Sequence, residues 1–135
     1  MNASLVDLAR ACIHGSHAGT MSFPAIVGAL MEAGFEAYHV DFRAGNATYY
    51  LPSGESVTLE ASRPVVAPTA AFDAVEVAAA VRQAQAGGPE YTYDGFCDRV
   101  ARAGCAGCLV SFPGRRVAYI GRTGEVHAEH FPPGN

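Results

Sequence analysis

The residues of this chain that could do chemistry crowd into its last third. Glu125, His127 and Glu129 occupy alternate positions of one short stretch, so a strand there would present all three on one face. Carboxylates flanking an imidazole can tune it for proton transfer or complete a metal site. Arg116 and Arg122 lie just upstream, close enough in the predicted hairpin to bind an anion beside that imidazole. The plainer reading of the same stretch is an edge strand whose charges discourage aggregation.

A second constellation is Cys105-x-x-Cys108 followed by His127-x-x-His130, which counts out like a two-cysteine, two-histidine zinc set. Its context argues the other way. His127 and His130 are three apart on a predicted strand and therefore point to opposite faces. The expected cofactor is none, with zinc on Cys105, Cys108, His127 and His130 as an alternative. A redox role for the cysteine pair would need a helix N-terminus to lower the thiol pKa, whereas this pair follows a helix end and enters a strand. His14 and His17 fall near the C-terminus of a predicted helix beside Gly15 and Gly19, where fraying and solvation are expected.

The elements that position these residues come from hydrophobic periodicity. Leu5, Leu8, Ala9, Cys12 and Ile13 recur at helical spacing over 5–14, behind a cap at Asn2 or Ser4. Ser22-Phe23-Pro24 starts a second helix that Gly34 ends. Strict alternation over 37–43 predicts a strand, Ala44-Gly45-Asn46 a turn, 47–51 its hairpin partner, and Val57 to Leu59 a third strand. Residues 70–86 read as an alanine-rich helix, and Thr92 caps another that Gly104 ends. Strands over 107–112, 116–120 and 125–131 follow.

A single ungapped shift superimposes the two halves. It sets Ala33-Gly34 on Ala103-Gly104, Val40 and Phe42 on Val110 and Phe112, Tyr49 on Tyr119, and Gly54-Glu55 on Gly124-Glu125. The expected fold is therefore α+β: a helix-helix-strand-strand-strand unit made twice. It gives an antiparallel sheet of about six strands with four helices mainly on one face. Repeat one covers about 2–60, a proline-containing connector 61–69, and repeat two 70–131, all within one domain of 1–135.

If Phe42 faces Ala47 across the first turn, Val40 faces Tyr49 and Val110 faces Tyr119, which makes both tyrosines core residues. The other face carries His39, Asp41, Thr48 and Tyr50 in the first half but Leu109, Ser111, Ala118 and Ile120 in the second. An apolar sheet face without an obvious covering helix points to a homodimer, with helices packed on both faces as the alternative that explains it equally well.

Composition narrows the function classes. Half of the 135 residues are hydrophobic and 16% are charged, which is globular. Every basic residue is arginine, which excludes Schiff-base chemistry and a lysine-bearing phosphate loop. A net charge of -4 without a basic stripe argues against nucleic acid. No apolar run is long enough to span a membrane, and no signal-peptide core follows Met1, so cytoplasmic thiols are expected. No nucleophile elbow or nucleotide loop is present.

The segments Tyr91-Thr-Tyr-Asp-Gly-Phe-Cys97, Ala103-Gly-Cys-Ala-Gly107 and Gly121-Arg-Thr-Gly-Glu-Val-His-Ala-Glu-His-Phe-Pro132 resemble the YbcV-like bacterial proteins of unknown function, often labelled "phage envelope protein-like". Phe23-Pro24, Tyr49-Tyr50 and Gly54-Glu55 extend that likeness over almost the whole chain. The resemblance implies a small soluble α+β domain and transfers no activity, cofactor or catalytic residue. The expectation is a non-enzymatic binding or protein-interaction module for an unknown small molecule or protein. One alternative is a small enzyme or metal-binding protein using His127 with Glu125 or Glu129. Another is a phage-related structural protein.

Overall fold

Local chemistry sets the helix ends. The Asn2 side chain accepts from Leu5 N at 3.0 Å and starts α1, Ala3–Ala18, which Gly19 closes in the left-handed region. Ser22 caps α2, Phe23–Glu32, with Pro24 in its first turn. Asp73 caps α3, Ala74–Ala86, and Thr92 caps α4, Tyr93–Arg102. The computed structural model describes residues 1–132; the end of the expected domain, 133–135, lies outside the described residues.

Two helix boundaries differ from expectation. α1 continues past Ile13 because Gly15 is buried under the Met21 side chain, leaving no room for a turn there. α3 starts at Ala74 rather than 70. Thr69 N and Asp73 N bond instead to Ala101 O and Ala103 O, at 3.1 and 2.7 Å. Phe72 fills the space over Gly121, and that segment stays non-helical.

The strands are β1 Ala37–Asp41, β2 Asn46–Tyr50, β3 Ser56–Glu60, β4 Cys105–Ser111, β5 Arg116–Gly121 and β6 Val126–His130. They form one antiparallel sheet in the order β3-β2-β1-β4-β5-β6. The expected α+β class, with four helices and six strands, is what the described residues form.

The pairings recur at the interval that relates the two halves. Tyr38 opposes Tyr49 and Cys108 opposes Tyr119; Leu59 opposes Ala47 and Glu129 opposes Val117. Each second pair is the first pair moved along the chain by the same step that carries Ala33 to Ala103. In the centre His39 opposes Leu109, its own counterpart under that step, so a local twofold axis normal to the sheet passes between them. α1 and α3 match at a slightly smaller step: buried Ala9, Cys12 and Ile13 correspond to Val77, Ala80 and Val81. The longer loop between α3 and α4, compared with that between α1 and α2, absorbs the difference.

The hairpin register corrects the expected one. Val40 opposes Ala47, and Val110 opposes Val117. The turn begins earlier than expected because Asp41 Oδ1 accepts from Arg43 N and Ala44 N, at 2.9 and 3.0 Å. Ser111 Oγ does the same for Gly114 N at 3.0 Å. The slip is by an even number of positions, which preserves every side chain's face. Tyr49 and Tyr119 are accordingly buried, as expected.

The core fills the space between the helices and one face of the sheet. Tyr38, Val40, Tyr49 and Leu59 meet Cys108, Val110, Val117 and Tyr119 beneath Cys12, Leu30, Val77 and Val100. Each large apolar side chain buried there contributes about 1.5–3 kcal/mol. On the other face the row Thr58-Thr48-His39-Leu109-Ala118-Ala128 contains no buried residue. Helices cover one face only.

Candidate functional site

β6 is an edge strand, and its alternation decides what it offers to each side. His127 opposes Tyr119 and Glu129 opposes Val117, so both side chains turn toward the helix face. There His127 Nε2 lies 2.5 Å from Glu129 Oε2, with the imidazole N–H donating to the carboxylate. Each side chain is about a quarter exposed, 24% and 25%. The counterparts in the first half are Val57 and Leu59, which pack with the core. A hydrogen-bonded acid and base thus stand where the same architecture elsewhere uses apolar side chains.

Tyr119 forms the inner wall. Burial pushes its phenol well above its ordinary value, and Cys108, Cys105 and Glu129 add to the shift. With Nε2 committed to Glu129, His127 keeps Nδ1 to accept a proton or hold a ligand. Glu125 does not join this pair. It sits exposed where the β5–β6 turn ends, its N–H bonded to Thr123 Oγ1 at 3.2 Å and its carbonyl accepting from Gly121 N at 2.8 Å.

The two arginines are not brought together. Arg116 begins β5 on the open face, opposite His130, and Arg122 follows the other end of that strand. The extended chain between them separates them by roughly 20 Å. Arg122 Nη1 donates to Pro68 O at 3.0 Å, and Arg116 Nε donates to Gly114 O at 3.2 Å.

The residues of the zinc alternative are divided between faces. A bulge between Cys105 and Gly107 lets both Cys105 and Cys108 turn inward, whereas His130 is exposed on the opposite face from His127. Among the described residues no three His, Cys, Asp or Glu side chains converge to hold an ion. All four cysteines are free and buried. Burial pushes the Cys97 thiol up to about 12 and Cys105 to about 11, and raises Cys108 strongly. Such thiols stay protonated near neutral pH, the wrong state for a nucleophile or a metal ligand.

One further acid–base contact has no sequence signal, because its partners belong to different halves of the chain. His17 Nδ1 lies 2.5 Å from Asp94 Oδ1, and its ring meets Tyr93 edge-on at 5.2 Å. The expected frayed histidine instead docks α1 on the start of α4. Arg99 bonds Glu76 at 2.6 Å and Gln83 at 2.8 Å, tying α4 to α3.

The open sheet face is divided along the local twofold. Around β1 to β3 it carries Asp41, Thr48, Tyr50, Thr58 and Glu60. Across β4 to β6, Leu109, Ala118 and Ala128 form one row beside Ile120 and Val126. Leu109 is 37% exposed and Val126 57%. This apolar area lies where the alternation of the two strands predicts it, and no helix among the described residues covers it.

Two solvent-open depressions lie away from His127 and Glu129. One, of about 430 Å³, is bordered by Asn46, Glu60 and Arg63; the other, of about 270 Å³, by Met31, Phe35 and Phe112. No helix among the described residues is long and apolar enough to cross a membrane. The profile of a family described as "Protein of unknown function (DUF1398)" matches residues 12–129. No curated protein matches the chain.

Proposed function

The chain belongs to that family of proteins of unknown function, and on this premise we propose that it is a non-enzymatic interaction module whose working surface is the second half of its sheet. One observation carries the reading. The open face is polar over β1 to β3, whereas over β4 to β6 the rows through Leu109 and Ile120 are apolar and only the Ser111–Arg116–His130 row at one end is polar, although both halves share one architecture. Exposed apolar area of this kind is retained where something covers it. A second copy of the chain is the first partner this surface suggests. Four buried, unpaired thiols support a reducing compartment such as the cytoplasm. The narrower YbcV-like, phage-envelope label agrees with the reading insofar as a virion part also assembles.

The test is cross-linking in the producing cell with Leu109→Lys and Ile120→Lys in combination. The wild type should give a discrete cross-linked species that the double variant loses, while both melt within a few degrees of each other. Turnover in a hydrolase and transferase screen, abolished by Glu129→Gln, would overturn the reading.

A second reading has its own observation, the His127–Glu129 pair at positions filled by Val57 and Leu59 in the first half. It is a small acid–base or ligand site, with His127 as the proton-accepting or ligating group and Glu129 holding it.

A further inference from the structure

The backbone of β6 has a free outer edge, and its hydrogen-bond phase is fixed. Gly121 N bonds to Glu125 O at 2.8 Å, and Phe131 N to Arg115 O at 2.8 Å. In an antiparallel ladder these mark the residues that face the neighbour, so odd-numbered residues of β6 bond inward to β5. The N–H and C=O groups of Val126, Ala128 and His130 therefore point outward. Among the described residues no strand pairs with them.

This edge is poorly guarded. β6 contains no lysine, no proline and no bulge. Its outward-bonding residues carry Val126, Ala128 and His130 on the open face, continuous with Leu109, Ala118 and Ile120. The opposite edge, β3, differs: its open-face residues are Ser56, Thr58 and Glu60, which are exposed and polar.

The charges of β6 choose a partner. An antiparallel pairing of β6 with itself, centred on Ala128, sets Ala128 against Ala128, Val126 against His130 and His127 against Glu129. Centring on His127 also satisfies the backbone phase, but opposes His127 to itself and Glu125 to Glu129, which like charges disfavour. Centring on Val126 opposes Glu125 to His127 but pairs little of β6, because Glu125 lies in the preceding turn; the Ala128 register opposes base to acid twice while pairing the whole strand.

We propose that two copies of this chain pair edge to edge through β6 about Ala128, so that His127 and Glu129 of each copy meet Glu129 and His127 of the partner subunit. The two sheets become one of twelve strands, and the acid–base pair becomes a four-membered cluster to which both copies contribute. An interface of this kind is isologous and closes on itself, so assembly stops at two. The apolar rows of the two open faces join across the seam. This deepens the interaction-module reading and rests on it, naming the partner and the strand.

The experiment is sedimentation velocity from about 1 to 100 µM, with circular dichroism on each variant. The wild type should sediment as a dimer. Ala128→Pro removes an N–H that bonds to nothing among the described residues, so it should keep the native spectrum and raise the dimer dissociation constant at least tenfold. Glu129→Lys sets a cation against the partner's His127 and should weaken the dimer similarly. Adding His127→Glu to Glu129→Lys restores opposite charges at the seam and should recover most of the dimer, even if Ala128→Pro fails to fold. A wild type that stays monomeric at the top of that range overturns the pairing. So does a dimer unchanged in both Glu129→Lys and the charge-swapped variant. A dimer that instead dissociates on Leu109→Lys with Ile120→Lys rejects the edge while leaving the interaction-module reading standing. A monomeric wild type without any cross-linked species in cells rejects both.

Discussion

At the residue scale the four cysteines separate chemistry from packing. Cys97, Cys105 and Cys108 line the core face near Tyr93 and Tyr119, and burial raises all three thiols. For an acid whose folded pKa is raised, the stabilisation is fully present below the unfolded value. It is lost as pH climbs toward the folded value. The unfolded thiol titrates near about 8.5, whereas folded Cys97 and Cys105 hold their protons to about 12 and 11. The melting temperature should therefore be flat from neutrality to about pH 8 and fall progressively above about pH 9. Tyr38 and Tyr119, also raised by burial, steepen the fall above about pH 10. Differential scanning fluorimetry across pH 7–11 checks the curve, and Cys97→Ala should reduce its slope. A thiol reagent at pH 8 should label the unfolded chain but not the native one. Native labelling as fast as a free thiol would contradict the burial.

At the element scale, the two halves provide controls for each other. Gly34 and Gly104 follow α2 and α4, and both hold left-handed backbone, with φ of 100° and 93°. Their surroundings differ. A Cβ at Gly34 meets open space, whereas one at Gly104 collides with Ala71 O on the segment before α3. Backbone strain alone costs about 1–2 kcal/mol when alanine takes such a position. Gly34→Ala should therefore lose about that much, and Gly104→Ala at least twice as much, because it also displaces the main chain. Urea unfolding of the two variants measures the difference; equal losses would mean the segment before α3 yields freely. Arg115 shows the same logic reversed. It is the one non-glycine with positive φ among the described residues, at 49°, and it stands where the first half has Gly45. Its guanidinium lies 5.8 Å from the centre of the Phe131 ring, a contact that helps hold an otherwise costly conformation.

The whole molecule explains which features were legible in the sequence. The fold class, the caps at Ser22 and Thr92, the choice of Asn2 or Ser4 as the first cap, and the burial of Tyr49 and Tyr119 all follow from local periodicity and from the pattern of the strands. The hairpin register does not, because Asp41 and Ser111 fold back on their own turns, which alternation cannot reveal. The contact between His17 and Asp94 depends on how α1 and α4 are packed, which no local pattern encodes. The candidate site was legible only in part: His127 and Glu129 share a face as read, while Glu125 is stranded in a turn and the arginines lie at opposite ends of β5. What the sheet adds is that this face is the covered one, where the first half uses Val57 and Leu59.

That comparison supplies its own experiment. Replacing His127 by Val and Glu129 by Leu makes the second half match the first. Exchanging a largely buried polar pair for apolar side chains is often neutral or stabilising by about 1–4 kcal/mol, and partial exposure here keeps the gain near the low end, about 1 kcal/mol. The single Glu129→Leu variant should instead lose stability, since it leaves the imidazole unpartnered beside Tyr119. If the double variant is at least as stable in urea yet loses the wild type's dimer, or a metal- or metabolite-dependent shift in melting, the pair is kept for what it binds rather than for the fold. If it is less stable by about 2 kcal/mol or more, the pair is structural, and the second half of the sheet needs it to stand.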